Sequence, residues 1–322
     1  MDTTFKKLTE LIKNADNVMI MTHQHSDLDA LGSSLCLCYI INHLGKKNWL
    51  VFNQKDNNLS IEKSLAMIKK SNLKINFIDQ KKAEKHLKEN TLLIILDTSK
   101  KELVEYPELL KIEHKIILDH HPIGNKNITD TVLSYVNSNL SSTNEIMTDY
   151  LKYLNMIVPP IIATIMLAGI EVDTNAYGVK TTSKTFETAA FLLNIGALNT
   201  LKYEILKEDK EQYLKREKLL EKSYNIGQYA ICRVEKRISK EDLSVLAEKM
   251  LLFDKVEAAF ALGKIKTNLI AISGRSLGET NVYQIMKTFD GGGHLTEAAA
   301  QIKNLSLDDL EKQLKKELGV KK

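Results

Sequence analysis

Acidic and histidine residues follow the apolar runs of this chain. The runs cover residues 18–22, 92–96, 116–118 and 161–170, and the residues that follow them are His23, Asp27, Asp29, Asp97, Asp119, His120, His121 and Asp173. A short apolar run of β-forming residues predicts a buried strand, and ligands of open α/β sheets bind beyond the carboxyl ends of the strands. We therefore expect these side chains to meet at one edge of a sheet.

Such a cluster predicts a metal centre. Several carboxylates in one cleft repel one another unless a multivalent cation neutralises them. Mixed imidazole and carboxylate ligands without thiolate favour Mn²⁺ over Mg²⁺ or Zn²⁺. The ligands are too many for one catalytic ion with open positions, so we expect two ions about 3.5–4 Å apart, sharing a carboxylate. This pair would activate water near neutral pH and hold a phosphoryl group for in-line attack.

A glycine run near the C-terminus is suited to anion binding. Gly291, Gly292 and Gly293 permit positive φ angles and a bare backbone approach to an anion, and His294 follows them. The His294 imidazole could donate a hydrogen bond or a proton to phosphate. Taken alone, the glycine run has a plainer interpretation as a flexible turn. The predicted metal centre favours a role in substrate binding.

A second group of candidate substrate contacts comes earlier in the same half of the chain. Arg275 follows a predicted strand and could make bidentate contact with phosphate, and Ser276 is next to it. A single arginine after a strand is ordinarily a surface residue. Here too, the metal cluster favours substrate contact.

The first part of the chain alternates strand-like and helix-like segments. Ser142 and Glu145 have the spacing of a capping box, and Pro159-Pro160 precedes a further helix. The helices are predicted at 29–44, 61–70, 81–89, 142–154 and 182–195, with a short strand at 74–78. Alternating strands and helices predict a largely parallel, doubly wound sheet.

The pattern changes after a charged helical stretch at 201–222, which we interpret as a bridge. Short β runs at 229–233, 256–262 and 269–273, with a turn at 263–268, and helices at 281–288 and 307–318 predict a smaller α/β domain with a mixed sheet. The predicted division is a metal-binding domain at 1–195, a helical linker at 196–225 and a substrate-binding domain at 226–322. We expect the active cleft between the two domains.

Composition and charge are those of a cytoplasmic enzyme. The net charge of +4, from 45 basic and 41 acidic residues among 322, predicts neither a long nucleic acid nor a membrane surface as partner. The chain has no run of 18 apolar residues and no signal-peptide core at its start. Three cysteines predict no disulfide framework, and Cys36 and Cys38 are expected to be packing residues.

The order of these motifs resembles that of the DHH phosphoesterases with a DHH-associated C-terminal domain. Within that family, the segments 27–33, 133–135, 141–143, 168–174, 185–187 and 275–282 resemble the GdpP-type cyclic-di-AMP phosphodiesterases. The resemblance implies two α/β domains and two Mn²⁺ ions, with Mg²⁺ or Co²⁺ as alternatives, which cut a phosphodiester in the cleft between the domains.

The resemblance also implies roles for single residues. His23, Asp27 and Asp97 would hold one ion, and Asp29, Asp97, His120 and Asp173 the other, so that Asp97 is the bridge. Asp119 would orient His120 from outside the ligand set. His121 and His294 would face the phosphate as catalytic residues. Arg275, Ser276 and the glycine run at 291–293 would lie near the nucleotide.

Three differences from the GdpP-type pattern bear on substrate and location. Pro122 stands where those proteins often have arginine, as in stand-alone nano-RNases, and Lys184 replaces a common arginine and so lacks its planar fork. The first motif begins at His23, so we expect no membrane anchor or sensory region of the GdpP kind.

Three functions from different classes stay open. The first is a Mn²⁺-dependent phosphodiesterase that converts cyclic-di-AMP to pApA, pApA to AMP, or both. The second is a nano-RNase or 3′-phosphoadenosine 5′-phosphate phosphatase, and the third is a non-catalytic nucleotide-binding module. A processive RecJ-like exonuclease is disfavoured by the weak charge and by the lack of an oligonucleotide-binding barrel. The expected partner is a small nucleotide, and a homodimer is one candidate assembly.

Overall fold

The computed structural model describes residues 2–53, 58–124 and 126–319. The chain divides into two compact units, Met1–Lys207 and Glu208–Lys322, and the division falls inside the predicted linker. None of the helices in the described ranges is long and apolar enough to cross a membrane.

The first unit contains a six-stranded sheet in which every pairing is parallel. Its strands are β1 (Asn17–Met21), β2 (Asn48–Val51), β3 (Phe77–Ile78), β4 (Thr91–Leu96), β5 (His114–Asp119) and β6 (Leu133–Val136). The order β3-β2-β1-β4-β5-β6 confirms the predicted doubly wound sheet. The chain reverses direction across the sheet between β1 and β4, and such a switch point is the usual ligand site of this architecture.

Helices cover both faces of this sheet. They are α1 (Asp2–Asn14), α2 (Leu28–His43), α3 (Leu59–Lys70), α4 (Gln80–Lys85), a 3-10 helix (Pro107–Lys111), α5 (Thr143–Tyr153), α6 (Pro160–Asp173), α7 (Ser183–Asn194) and α8 (Asn199–Leu206). Alternate residues of β1 enter two different cores: Val18 and Ile20 pack on one face, and Met19 and Met21 on the other. Burial on both faces explains why the strands are continuous apolar runs.

The apolar stretch at 161–170 lies in a helix, as the preceding Pro159-Pro160 predicts, and not in the strand that its apolar run alone would favour. Pro160 occupies the first turn of α6, where its missing N–H costs nothing, and Asp173 is the last residue of this helix. The helix packs closely against α2, because a Cβ on Gly169 would lie 2.7 Å from the carbonyl oxygen of Leu28. Asp173 therefore reaches the site from a buried helix rather than from a strand end.

The capping box predicted at the start of α5 is wrong. The Ser142 side chain makes no capping hydrogen bond, and Glu145 instead accepts one from the hydroxyl of Ser141 at 2.6 Å. The free N–H groups of Thr143 and Asn144 donate to the carboxylate of Asp29, at 2.7 and 2.9 Å. A buried carboxylate on α2 thus caps α5 in place of a local motif.

The second unit contains a mixed sheet, as predicted. Its strands are β7 (Tyr224–Ile226), β8 (Tyr229–Arg237), β9 (Ala258–Lys266), β10 (Leu269–Ser276), β11 (Gly292–Gly293) and β12 (Glu297–Lys303). The order is β11-β12-β10-β9-β8-β7, with β8 and β9 parallel and the other neighbours antiparallel. Its helices are α9 (Lys210–Leu220), α10 (Lys240–Met250), α11 (Val282–Lys287) and α12 (Leu307–Glu317).

Two details of this half differ from the prediction, and the glycine run differs from its plainer interpretation as a flexible turn. The stretch 201–222 is two helices, because Asp209 caps a new helix, α9, through the N–H groups of Glu211 and Gln212. The turn at 263–268 is shorter than predicted, since β9 continues to Lys266 and pairs with β10. The glycine run is not a free turn, because Gly292 and Gly293 pair with β12.

Candidate metal centre and glycine loop

The elements of the first unit bring the predicted ligands to one edge of the sheet. His23 follows β1, and Asp27 is the N-cap of α2, where its carboxylate accepts hydrogen bonds from the N–H groups of Asp29 and Ala30. Asp97 follows β4, and His120 follows β5. This edge includes the switch point between β1 and β4.

Asp97 lies at the centre of the cluster. It is 1% exposed, and its two carboxylate oxygens face different histidines: Oδ2 is 3.4 Å from His23 Nε2, and Oδ1 is 3.4 Å from His120 Nε2. The Thr143 hydroxyl donates to Oδ1 at 2.9 Å. The backbone of Asp97 has a φ of 63°, a left-handed conformation that is uncommon outside glycine. One carboxylate thus contacts both halves of the site.

The first half of the site consists of His23, Asp27 and Asp97, whose ligand atoms lie within 4.8 Å of one another. His23 Nε2 is 3.6 Å from Asp27 Oδ2. The other ring nitrogen, Nδ1, is 2.8 Å from the carbonyl oxygen of Gln24, which can only accept a hydrogen bond. Nδ1 must therefore carry the hydrogen, so the lone pair of neutral His23 is on Nε2, facing the carboxylates.

The second half consists of Asp29, His120 and Asp173, which satisfy the same distance limit. His120 Nε2 is 3.2 Å from Asp173 Oδ2 and 3.7 Å from Asp29 Oδ2. His120 is 6% exposed, and its Nε2 has no hydrogen-bond partner among the described residues. A buried nitrogen that converges with carboxylate oxygens without a well-formed hydrogen bond to any of them fits a divalent cation as the common partner.

Asp119 contacts His121, not His120 as predicted. Its Oδ1 accepts hydrogen bonds from the His121 backbone N–H at 3.0 Å and from His121 Nδ1 at 2.8 Å. Asp119 and His121 are only two residues apart, so the carboxylate can reach both the backbone N–H and the ring of the second histidine. The His121 side chain is 38% exposed, and its Nδ1 is 3.7 Å from Asp97 Oδ1. His121 is therefore the oriented, accessible imidazole of the site.

The pKa values show how the cluster balances its charges. Desolvation, followed by repulsion from neighbouring carboxylates, raises the pKa of Asp29 well above its usual value, and desolvation raises the pKa of Asp173 to about 6. For His120, desolvation lowers the pKa, but Asp173 and Asp97 outweigh it and raise the pKa well above normal. For Asp97, desolvation is outweighed by His120 and His23, which hold the pKa well below normal. These shifts show that the cluster favours positive charge, which a metal ion could supply.

A cavity of about 180 Å³ opens beside Asp97 and His121. Its walls include Thr98, Ser99 and Lys100, which follow β4 and were not among the predicted site residues. Their position directly after Asp97 is the signal that could have identified them. Thr143 and Asn144 were also missed as partners of the ligands, because their contacts with Asp97 and Asp29 join distant parts of the chain.

The three glycines of the second unit have different surroundings. A Cβ on Gly291 would lie 2.5 Å from the carbonyl oxygen of Ala299, and Gly293 has a φ of 142° with the Glu297 oxygen 2.3 Å from its Cβ position. A Cβ on Gly292 would meet no described atom within 4 Å. A side chain at Gly291 or Gly293 would clash with β12, so packing requires glycine at both positions. Gly292 has no such clash, and its backbone is exposed to solvent. His294 follows, with its N–H donating to Glu297 O at 2.6 Å.

Arg275 and Ser276 lie on opposite faces of β10. Arg275 donates from Nε to Glu248 at 3.2 Å and from a terminal nitrogen to the Ser273 hydroxyl at 3.2 Å. Ser276 is 2% exposed, and its hydroxyl donates to the carbonyl oxygen of Thr280 at 2.7 Å. Side chains alternate along a strand, so Arg275 and Ser276 could not both face one ligand. The predicted substrate contact of Ser276 is replaced by a role in holding the following loop.

Comparison with known proteins agrees with this architecture. The chain is 35% identical over 321 residues to the cyclic-di-AMP phosphodiesterase GdpP of Bacillus subtilis. This alignment covers 96% of this chain and 48% of that protein. It is 28% identical to the bifunctional oligoribonuclease and PAP phosphatase NrnA of Mycoplasma genitalium, over 91% of each chain. The chain thus spans about half the length of GdpP and most of NrnA.

A solved structure supports the fold. An exopolyphosphatase-related protein from Bacteroides fragilis superposes with a TM-score of 0.82 at 20% identity, covering 98% of this chain and 96% of that one. In sequence, residues 17–170 match the DHH family, N-terminal domain, and residues 227–319 match the DHHA1 domain. The chain therefore belongs to the DHH family, with a DHH domain followed by a DHHA1 domain.

Proposed function

We propose that this chain is a divalent-metal-dependent phosphodiesterase that hydrolyses cyclic-di-AMP to pApA, pApA to AMP, or both. The observation that carries the proposal is the buried Asp97 carboxylate, with one oxygen facing His23 and the other facing His120. A shared carboxylate between two ligand groups is typical of two-metal phosphoryl-transfer sites. The similarity to a cyclic-di-AMP phosphodiesterase supports the substrate.

Each ligand group would hold one ion. The first group is His23, Asp27 and Asp97. The second group is Asp29, Asp97, His120 and Asp173, so that Asp97 belongs to both. Nitrogen and carboxylate oxygen donors suit Mn²⁺, with Mg²⁺ or Co²⁺ as alternatives. Bound ions of this kind supply an activated water at neutral pH and neutralise charge on a phosphoryl group.

The protein's own groups would orient the substrate and handle protons. His121, held by Asp119, would donate a hydrogen bond or a proton to the phosphate, since its ring is oriented and partly exposed. The N-terminus of α5 holds Asp29 through Thr143 and Asn144, which keeps this buried ligand in place. His294 and the exposed backbone of Gly292 would contribute phosphate contacts from the second unit.

A second candidate function is that of a nano-RNase or 3′-phosphoadenosine 5′-phosphate phosphatase. Two observations favour it. Pro122 follows the two histidines as in stand-alone nano-RNases, and the alignment with the Mycoplasma genitalium NrnA extends over 91% of both chains. Both functions use the same proposed metal centre and differ in substrate.

Product analysis distinguishes these functions. Purified protein with Mn²⁺ is incubated separately with cyclic-di-AMP, pApA, short oligoribonucleotides and 3′-phosphoadenosine 5′-phosphate, and the products are separated by chromatography. We expect metal-dependent formation of pApA, AMP or both from the first two. Faster cleavage of oligoribonucleotides or of 3′-phosphoadenosine 5′-phosphate would favour the second candidate. Binding without turnover of any of the four would contradict both and leave a nucleotide-binding module.

A further inference from the structure

Lys100 lies on the wall of the cavity beside the proposed metal centre. The chain leaves β4 through the left-handed turn at Asp97, and Thr98, Ser99 and Lys100 then line the cavity together with His121. Lys100 is the one lysine or arginine among the described residues that line this cavity. Carboxylates and imidazoles provide the other ionisable groups there.

Backbone contacts on both sides hold Lys100 in place. Its N–H donates to the Thr98 hydroxyl at 3.3 Å, and its backbone forms an antiparallel bridge with Asn127. Its side chain runs beside Gly124, with the Lys100 Cε 3.7 Å from the Cβ position of that glycine. Lys100 thus joins the loop after β4 to the loop after His121, so its position is set by both motifs.

The ammonium group of Lys100 differs from those of other half-buried lysines in the first unit. Lys184 pairs with Asp149, and Lys202 pairs with Glu171. Within the described ranges, Lys100 Nζ has no ion pair and no hydrogen bond, although the acidic cluster lines the same cavity. A half-buried cation that the nearby carboxylates do not neutralise can accept an anionic ligand.

We propose that Lys100 binds a phosphate oxygen of the substrate, and this inference rests on the proposed phosphodiesterase function. A phosphodiester carries a negative charge on its non-bridging oxygens, and a dinucleotide such as pApA carries a terminal phosphate as well. An ammonium group is a compact point charge that suits such an oxygen. Lys100 is then a substrate-binding residue separate from the metal ligands and from the glycine loop.

The test compares Lys100→Met with Lys101→Met. Lys101 is the adjacent lysine, exposed and outside the cavity, so it controls for loss of one positive charge at the same point in the chain. For Lys100→Met we expect unchanged Mn²⁺ affinity by calorimetry and a decrease of about 10- to 100-fold in kcat/KM for pApA or cyclic-di-AMP. Lys100→Arg, which keeps the charge, should retain more activity. Lys101→Met should behave as the wild type.

A binding measurement separates failure of this inference from failure of the proposed function. The affinity of AMP for the Mn²⁺-loaded protein is measured for the wild type and for both methionine variants, and only Lys100→Met should bind more weakly. If the wild type hydrolyses no phosphodiester, the proposed function fails, but weaker AMP binding by Lys100→Met still supports the cation site. Equal AMP affinity, absence of AMP binding by the wild type, or loss of Mn²⁺ from Lys100→Met would overturn the inference.

Discussion

Asp97 and His121 differ in burial and contacts, and we propose that they have different roles in the site. Asp97 is buried and contacts both ligand groups, whereas His121 is partly exposed and held by Asp119. Burial raises the pKa values of Asp29 and Asp173, because their charged forms lose water and are repelled by neighbouring carboxylates. A cation bound between these carboxylates would offset that repulsion. At this scale the proposed chemistry depends most on the Asp97 carboxylate.

Replacing Asp97 by asparagine should abolish most activity. Asparagine tolerates the left-handed backbone and keeps a similar shape, so the change removes mainly the charge that two ions would share. We expect kcat with Mn²⁺ to fall by at least about 10³-fold while the circular dichroism spectrum is unchanged. Asp254→Asn, at a carboxylate 90% exposed, is the matched control. Near-normal turnover of a fully metallated Asp97→Asn protein would show that Asp97 is not the bridge.

Helices and strands place these residues by their ends and by their close contacts. The start of α5 holds Asp29, the end of α6 supplies Asp173, and β11 pairs with β12 through the glycine run. Some contacts around these elements are so close that one added methyl group would clash with the neighbouring backbone. The glycine run and the packing of α12 offer two separate tests.

The glycines of the loop should respond differently to a methyl group. Gly292→Ala adds its Cβ in open space, so we expect the free energy of unfolding to stay within about 0.5 kcal/mol of the wild type. Gly291→Ala places the same group against the Ala299 carbonyl and should destabilise by about 1–3 kcal/mol. Urea unfolding of both variants measures this. If Gly292 serves phosphate binding, Gly292→Ala should raise KM despite its normal stability, and equal destabilisation by the two changes would contradict the packing.

Glu311 on α12 should make the second unit less stable in acid. Partial burial raises its pKa, but hydrogen bonds from Lys315, Tyr224 and Arg233 outweigh this and lower the pKa to about 2. A lowered pKa stabilises the fold above the ordinary value of 4.5, and this stabilisation is lost as the pH falls from about 4.5 to 2.

We therefore expect Glu311→Gln to lose about 1–2 kcal/mol of stability at pH 7, and the difference from the wild type should shrink toward pH 3. Glu317→Gln, at an exposed position of the same helix, is the control and should have little effect. Urea midpoints at several pH values measure both. A deficit of Glu311→Gln that does not change with pH would contradict the assigned pKa.

For the whole molecule, the two units have separate cores and different chemical groups. The first carries the candidate metal ligands, and the second carries the glycine run and His294. This division suggests that metal binding and substrate binding can be changed independently. Removal of the metal and a change in the second unit test the two parts.

Removing divalent ions should leave a folded but inactive protein. The cores do not involve the cluster, but its carboxylates lose a counter-charge, so thermal stability should also fall. Addition of Mn²⁺ should restore activity better than Zn²⁺, because the donors are oxygen and imidazole nitrogen. Activity assays and thermal denaturation with and without chelator measure this. Full turnover in excess chelator would rule out the metal-dependent mechanism.

His294→Ala should leave Mn²⁺ binding intact while weakening substrate binding or turnover. His294 belongs to the second unit, whereas every candidate metal ligand belongs to the first. We expect kcat/KM to fall by about 10- to 1,000-fold for the loss of one charge-assisted contact. Calorimetry with Mn²⁺ and steady-state kinetics on the same preparation measure the two effects. Loss of manganese, or wild-type rates on every substrate, would leave His294 as part of a turn.

Much of this protein follows from the sequence alone. The apolar runs predict the parallel sheet, and the residues directly after them identify His23, Asp97 and His120 as members of one site, because strand ends meet at one edge. The glycine run likewise identifies the loop at 291–293. Each of these predictions depends on a local pattern, so a short stretch of sequence is enough to make it.

The partners of these residues were decided only by the tertiary structure. Asp29 caps α5 through Thr143, 114 residues away, and Asp173, at the end of α6, lies beside His120 only because the fold brings this helix to the sheet edge. Asp119 accepts a hydrogen bond from the His121 ring, and the Ser276 hydroxyl donates one to the carbonyl oxygen of Thr280. Hydrophobic periodicity sets the faces and ends of elements, whereas the partner of a polar side chain depends on which distant element packs against it.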